Sequence, residues 1–196
     1  MNFFAHLLLA VLWIAFCLLH SLLAADAVKQ KILRRPGRND AYYRIGYILF
    51  ALLSFAAVVR YQLSVTSSFL FQPARALQTA GIIAGSGGFI IMGICIARYF
   101  RLLSGLRAEQ HNPPGDTLLA DGLNGYIRHP LYLGTFIFIW SLWVLYPRLS
   151  LLISNGIITV YTILGVRMEE KKLVVKFGEA YISYQKKVPM FIPRFR

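Results

Sequence analysis

The charges of this chain are clumped, and the gaps between the clumps constrain it more than any other feature. No Asp, Glu, Lys or Arg occurs from Met1 to Ala25. None lies between Arg44 and Arg60, Arg75 and Arg98, Arg128 and Arg148, or Arg148 and Arg167. A helix crossing a hydrocarbon core about 30 Å thick takes roughly 20 mainly apolar residues and manages with about 17. The first, third and fifth gaps reach that length. The Arg44–Arg60 gap is shorter, but long arginine stems can carry their charges to the interface, and Tyr42, Tyr43, Tyr47 and Tyr61 suit that zone. With 57% hydrophobic and 15% charged residues in 196, the chain is neither disordered nor an ordinary soluble domain. An all-α, polytopic transmembrane helical bundle is expected.

The stretch from Leu131 to Val166 decides the number of spans. As one helix it would be about 54 Å long, far thicker than the hydrocarbon core. Tyr146-Pro147-Arg148 interrupts it, and proline cannot continue a helix interior. Two helices in a tight hairpin follow, giving about five spans: 3–25, 43–62, 77–97, 131–146 and 149–166. With five spans, the segments after the first span, after the third and after the fifth share one side. They carry eighteen basic residues; Arg60, Arg75 and Arg148 are the three on the other side. The positive-inside rule then predicts the N-terminus outside and the C-terminus cytoplasmic, as for a multi-pass protein of a bacterial inner membrane. The whole chain, 1–196, is expected to be a single integral membrane domain, with a three-span part over 1–103 and a hairpin and tail over 120–193.

The net charge of +13 therefore reads as topology and attraction to anionic membrane lipid, and no nucleic-acid partner is expected. Leu23-Ala24-Ala25-Asp26-Ala27 holds small residues suited to cleavage. The run before it lacks basic residues and is too long for a signal peptide, so it reads as a retained span. Cys17 and Cys95 fall inside spans and read as buried fillers. Gly81, Gly85 and Gly88 share one face of the third span, the pattern of close helix–helix contact. His20 is expected to hydrogen-bond a neighbouring helix. Haem ligation would need facing histidines on a second span, where only His129, at a helix start, is on offer. No Cys/His cluster has metal-ligand spacing, and no metal site is expected.

Chemistry is expected in two segments longer than topology requires. Ser104–Pro130 is a long loop centred on Pro113-Pro114-Gly115, and loops of that length are commonly functional. It ends in Gly125-Tyr126-Ile127-Arg128-His129-Pro130, where Pro130 suits the first turn of a helix. In Arg167–Arg196, Leu173, Phe177, Tyr181, Tyr184 and Val188 fall within about 80° of one another at 100° per residue. That is the stripe of a cytoplasmic amphipathic helix. Glu170 projects on the apolar side of the stripe and Glu169 just off its other edge. Two adjacent carboxylates beside a span need pairing, to Arg128 or Arg167, or a cationic ligand.

The block from Gly125 to Gly134 resembles the Arg-His-Pro-x-Tyr-x-Gly signature of the isoprenylcysteine carboxyl methyltransferase and phospholipid methyltransferase superfamily. Glu169-Glu170-Lys171-Lys172-Leu173, followed by Phe177-Gly178, Tyr181 and Tyr184 and closed by Val188-Pro189 and Ile192-Pro193, resembles that superfamily's tail. The two blocks stand in order and bracket the hairpin. The first half of the chain looks like bacterial membrane proteins grouped loosely with these enzymes.

The resemblance implies an S-adenosylmethionine-dependent methyltransferase with its cofactor pocket at the cytoplasmic membrane face. His129, Tyr132, Glu170 and Tyr126 are implied as cofactor-binding, with Arg128 and Glu169 as catalytic residues. The partner would be a lipophilic or membrane-borne methyl acceptor carrying a carboxylate, amine or thiol, and the Ser104–Asn124 loop would cover the cofactor. A non-catalytic membrane scaffold or sensor that keeps the same fold is the alternative. Neither the acceptor nor the oligomeric state is legible in the residues.

Overall fold

The computed structural model describes residues 2–33, 40–103 and 118–192. Arg34, Arg35 and Arg38 of the basic segment, and the Pro113-Pro114-Gly115 centre of the long loop, lie outside the described residues. The described elements are helices: α1 (Phe3–Ala24), α2 (Asp26–Leu33), α3 (Asp40–Ser64), α4 (Arg75–Leu103), α5 (Pro130–Leu145), α6 (Leu149–Phe177) and α7 (Glu179–Lys187). A short 3-10 turn spans Gly122–Gly125. Among the described residues, four stretches are long and apolar enough to cross a membrane: Phe3–Ala24, Tyr42–Ser64, Arg75–Arg98 and Leu149–Phe177. Pro130–Leu145 is a shorter apolar helix; its 16 residues reach about 24 Å at 1.5 Å per residue. About five spans fit this architecture, and the chain is an integral, multi-pass membrane protein.

The expected break between the last two spans lies where proline puts it. Helix α5 ends at Leu145 and α6 starts at Leu149. The expected amphipathic helix differs from its sequence reading. Helix α6 continues to Phe177, and only nine residues after Gly178 form a separate helix, α7. Gly178 has φ +54°, a left-handed conformation that costs glycine little and other residues more. The stripe is thus divided between the end of a spanning helix and a short helix beyond it.

The chain forms two compact units. The first comprises residues 1–72 and 147–161. In α1, His6, Leu9, Trp13 and Cys17 are buried; steps of three and four place them on one face. Leu9, Trp13 and Val58 form the core, with Phe16, Ile157 and Ile158 packed on it. The Trp13 indole N–H donates to Gln62 Oε1 at 2.8 Å, so burying the indole strands no donor. The Tyr47 hydroxyl lies 3.1 Å from His20 Nε2, the interhelical bond expected of His20. The Ser150 amide donates to Ser67 Oγ at 3.3 Å, satisfying one N–H that the first turn of α6 cannot bond internally. Leu7, Leu8, Val11, Leu18, Leu52 and Leu53 are exposed, as suits lipid-facing helix surfaces.

The second unit comprises residues 73–146 and 162–196. Helices α4 and α5 pack through their glycines. A Cβ on Gly88 would stand 2.8 Å from Gly134 O and 2.8 Å from Phe138 N. A Cβ on Gly134 would stand 2.9 Å from Gly88 O. Backbone lies on backbone here, as small residues permit in a membrane. Gly81 packs on Leu145 and Gly85 on Ser141, so the glycine face makes the contact expected of it. Cys17 in the first unit and Cys95 in the second are both buried thiols.

Candidate active site

Pro130 opens α5, and His129 is its N-cap residue. The chain just before the helix is tied to the chain just after α7. The Arg128 amide donates to Pro189 O at 2.9 Å and the His129 amide to Met190 O at 3.2 Å. Tyr184 Oη donates to Asn124 O at 2.6 Å, and Asn124 Nδ2 donates to Arg128 O at 3.1 Å. Tyr181, Tyr184 and Val188 form a buried cluster with Leu118, Leu173, Val174 and Phe177 against it. The sequence stripe supplies this cluster, although it spans two helices.

Glu170 is the hub of the polar network. Its Oε1 accepts from Arg128 Nε at 2.6 Å, His129 Nε2 at 3.1 Å and Tyr181 Oη at 3.4 Å. Its Oε2 accepts from Gln185 Nε2 at 3.2 Å. A carboxylate has about four acceptor positions, two on each oxygen; three donors crowd Oε1 and one meets Oε2. Facing a carboxylate, His129 Nε2 must carry its proton. Arg128 Nη1 also donates to Gln185 O at 3.1 Å and Val188 O at 2.5 Å, near the end of α7. The Arg128 and Glu170 side chains are 9% and 10% exposed, so solvent screens the pair weakly. Burial, and next the Glu170 charge, push the Tyr181 phenol above its ordinary range, which keeps it a donor.

A cavity of about 400 Å³ adjoins this network. Arg128, His129, Tyr132, Glu169, Phe177 and Tyr181 are among its walls, and Leu118 and Leu119 close another side. Tyr132 Oη donates to Glu169 Oε2 at 3.2 Å. Of the six expected site residues, Arg128, His129, Tyr132 and Glu169 line the cavity. Glu170 lies behind them, holding Arg128 and His129. Tyr126 is 73% exposed and is not among the residues lining the cavity. Gln185 and Asn124, both structural to the site, were not singled out by sequence. Gln185 sits at the polar margin of the stripe, and nothing in its spacing marks it.

The NnrU protein family model matches residues 7–192. A methanethiol S-methyltransferase of Crocosphaera subtropica is 38% identical over 68 residues, 35% of this chain and 26% of that enzyme. The protein-S-isoprenylcysteine O-methyltransferase of Schizosaccharomyces pombe is 32% identical over 111 residues, 51% of this chain and 46% of that enzyme. The human enzyme of the same description is 30% identical over 116 residues, 53% of this chain and 38% of its own length. The matched part of the chain thus spans less than half of each relative. No solved structure matches. Apolar helices, the two sequence blocks and these relatives define the class, the isoprenylcysteine carboxyl methyltransferase-like superfamily of membrane proteins. Within that class, the chain belongs to the NnrU family.

Proposed function

We propose that the chain is an integral membrane methyltransferase that takes S-adenosylmethionine as donor and methylates a lipophilic, membrane-borne nucleophile. The observation that carries this reading is the cavity where the Arg128-His129-Pro130 block and the Glu169-Glu170 block converge. The donor carries a sulfonium, an ammonium and a carboxylate. The cavity wall suits that set: the Glu169 carboxylate and the faces of Tyr132 and Tyr181 favour cations, and Arg128 favours an anion. When bound, the donor supplies a methyl group on positively charged sulfur, which a nucleophile's lone pair takes as the carbon–sulfur bond breaks toward sulfur.

The protein's share is alignment and exclusion of water. Glu169, with Tyr132 fixing its Oε2, is the carboxylate that meets the donor's cationic groups. His129 stands in the wall with its ring held by Glu170. Glu170, engaged by Arg128, His129, Tyr181 and Gln185 and absent from the cavity lining, positions Arg128 and His129 and leaves the donor to Glu169. Leu118 and Leu119 shield the cavity from one side. In this reading the site faces the cytoplasm of a bacterial cell, with the N-terminus outside the inner membrane.

The test is equilibrium binding of S-adenosylmethionine to the detergent-purified protein, with labelled methyl followed into a lipid extract. Glu169→Gln removes one charge-assisted contact, about 1.5–3 kcal/mol, or roughly ten- to a hundredfold in affinity. Glu179→Gln, at an exposed position of α7, leaves affinity unchanged. A parent protein that binds no cofactor at millimolar concentration refutes the reading. Binding without methyl transfer to any extract favours the non-catalytic scaffold.

A further inference from the structure

Helix α6 is longer than a membrane core needs. Its 29 residues reach about 43 Å at 1.5 Å per residue. The hydrocarbon core is about 30 Å thick, and the bilayer with both headgroup layers about 40–45 Å. Tilt does not absorb the surplus: fitting about 43 Å into about 30 Å takes roughly 46°, and spanning helices stay within about 40°. The helix starts at Leu149, next to Arg148. Its last turns, from Arg167 on, therefore stand at the level of the opposite headgroup layer.

Those turns have two unlike sides. Glu170 is buried against Arg128 and His129, and Glu169, Leu173 and Phe177 line the cavity, which fixes the rotation of the helix. The other side is open. Val175 is 87% exposed, Met168 65% and Leu164 54%, and at 100° per residue the three fall within about 40° of one another. An apolar line thus runs from the spanning part of α6 into its charged end. Arg167 and Lys171 flank the line on one side and Lys172 and Lys176 on the other, all four exposed and within about 100° of Val175. Glu169 and Glu170 fall outside that arc, at about 120° and 140° from Val175. The Lys176 ammonium lies 5.3 Å from the Phe177 ring centroid, at the edge of the face.

We infer that this outer face of α6, residues 164–176, seats anionic phospholipid headgroups. Leu164, Met168 and Val175 lie against the upper acyl carbons. The lysines and Arg167 lay their stems along that line and carry their charges to the phosphates. Near an anionic leaflet each basic residue strengthens such binding by about fivefold. A protein partner fits the face less well, because the core of a protein interface is poor in lysine, and here three lysines border a narrow apolar line. The seat is on the far side of the helix from the cavity and does not rest on the methyltransferase reading.

The full chain, carrying Cys17→Ser and Cys95→Ser, is labelled with bimane at Val175→Cys and reconstituted into phosphatidylcholine nanodiscs. Brominated phosphatidylcholine or brominated phosphatidylglycerol is added at equal mole fraction, and iodide reports access from water. Brominated lipid is expected to quench the label more than iodide does. Phosphatidylglycerol should associate about fivefold or more tightly than phosphatidylcholine, and added salt should shrink that ratio. Lys171→Gln, Lys172→Gln and Lys176→Gln together bring the ratio below about twofold, whereas Lys186→Gln with Lys187→Gln, on α7, leaves it in place. Quenching by iodide without quenching by lipid puts these turns in water and overturns the inference. Equal association of the two lipids, or the same loss of preference in the α7 variant, overturns the anionic seat. Shielding from both quenchers makes the face a protein contact and also overturns it. Native mass spectrometry of the parent chain serves if the labelled variant does not fold: retained phosphatidylglycerol should exceed phosphatidylcholine from an equal mixture, and equal retention overturns the inference.

Discussion

Replacing Glu170 by glutamine changes one oxygen to an NH2 group at the centre of four donors. Arg128 Nε, His129 Nε2, Tyr181 Oη and Gln185 Nε2 all point at the carboxylate. The amide keeps one acceptor oxygen and presents hydrogens where the other stood. If the oxygen faces Arg128, Gln185 meets a donor; if it faces Gln185, three donors lose their acceptor. The guanidinium also stays buried without its counter-charge, and breaking such a pair from one side costs about 3–5 kcal/mol. The damage is local, because the network joins only the start of α5, the last turns of α6 and the end of α7. The Arg128 and His129 amides, bonded to Pro189 and Met190, report that opening directly. At about 1.4 kcal/mol per factor of ten, their hydrogen exchange should quicken a hundredfold or more. Exchange would be followed on peptides covering residues 120–130 and 188–192. Arg128→Met in the Glu170→Leu background should recover only the part of the loss that comes from the unpaired guanidinium, because His129, Tyr181 and Gln185 still lack their acceptor. Exchange within threefold of the parent in Glu170→Gln, or full recovery in the double variant, would refute the hub.

Gly88→Ala places a Cβ against two backbone atoms that cannot turn aside; it should cost about 1–3 kcal/mol in a detergent unfolding titration, while Gly87→Ala, with open space around it, should be silent. The Tyr181 phenol is raised above its unfolded value near 10. The unfolded chain therefore loses this proton first, so stability should fall as pH rises from about 10, and Tyr181→Phe should blunt that fall in an alkaline melting series. Reporter fusions after Leu70 and at the C-terminus should read outside and inside, and a C-terminal reporter reading outside would sink the proposed orientation.

The spans were legible because charge is expensive in hydrocarbon, so the gaps fix where helices can lie. The hairpin was legible because Pro147 stops a helix whatever its surroundings. The same holds for Gly81, Gly85 and Gly88, whose lack of a side chain is itself the packing signal. Less could be read in the tail. The stripe from Leu173 to Val188 fits one helix as well as two, and only the left-handed backbone at Gly178 decides between them. Glu169 and Glu170 are neighbours of one type, and sequence ranked Glu170 as the ligand contact. Its partners lie 11 to 42 residues away, and the spacing within α6 does not reveal how many of them converge. Pairing of Glu170 with Arg128 was foreseen as one of two partners, yet its completeness was not. Tyr126 belongs to the matching block, yet it is largely exposed and is not among the residues lining the cavity.

The contact between Gly88 and Gly134 has a mechanical consequence. Most helix pairs meet through side chains, which can change rotamer and let one helix slide or roll on the other. Where backbone touches backbone there is no such bearing. Helices α4 and α5 are therefore stiffly coupled, like two rods clamped at a point. Tyr132, in the first turn of α5 and in the cavity wall, rides on one of those rods, so its position relative to α4 is set by the clamp. Thermal motion that widens the cavity must then come from the 3-10 turn and the α7 side, where Asn124, Tyr181 and Tyr184 line it and are held by hydrogen bonds that can open singly.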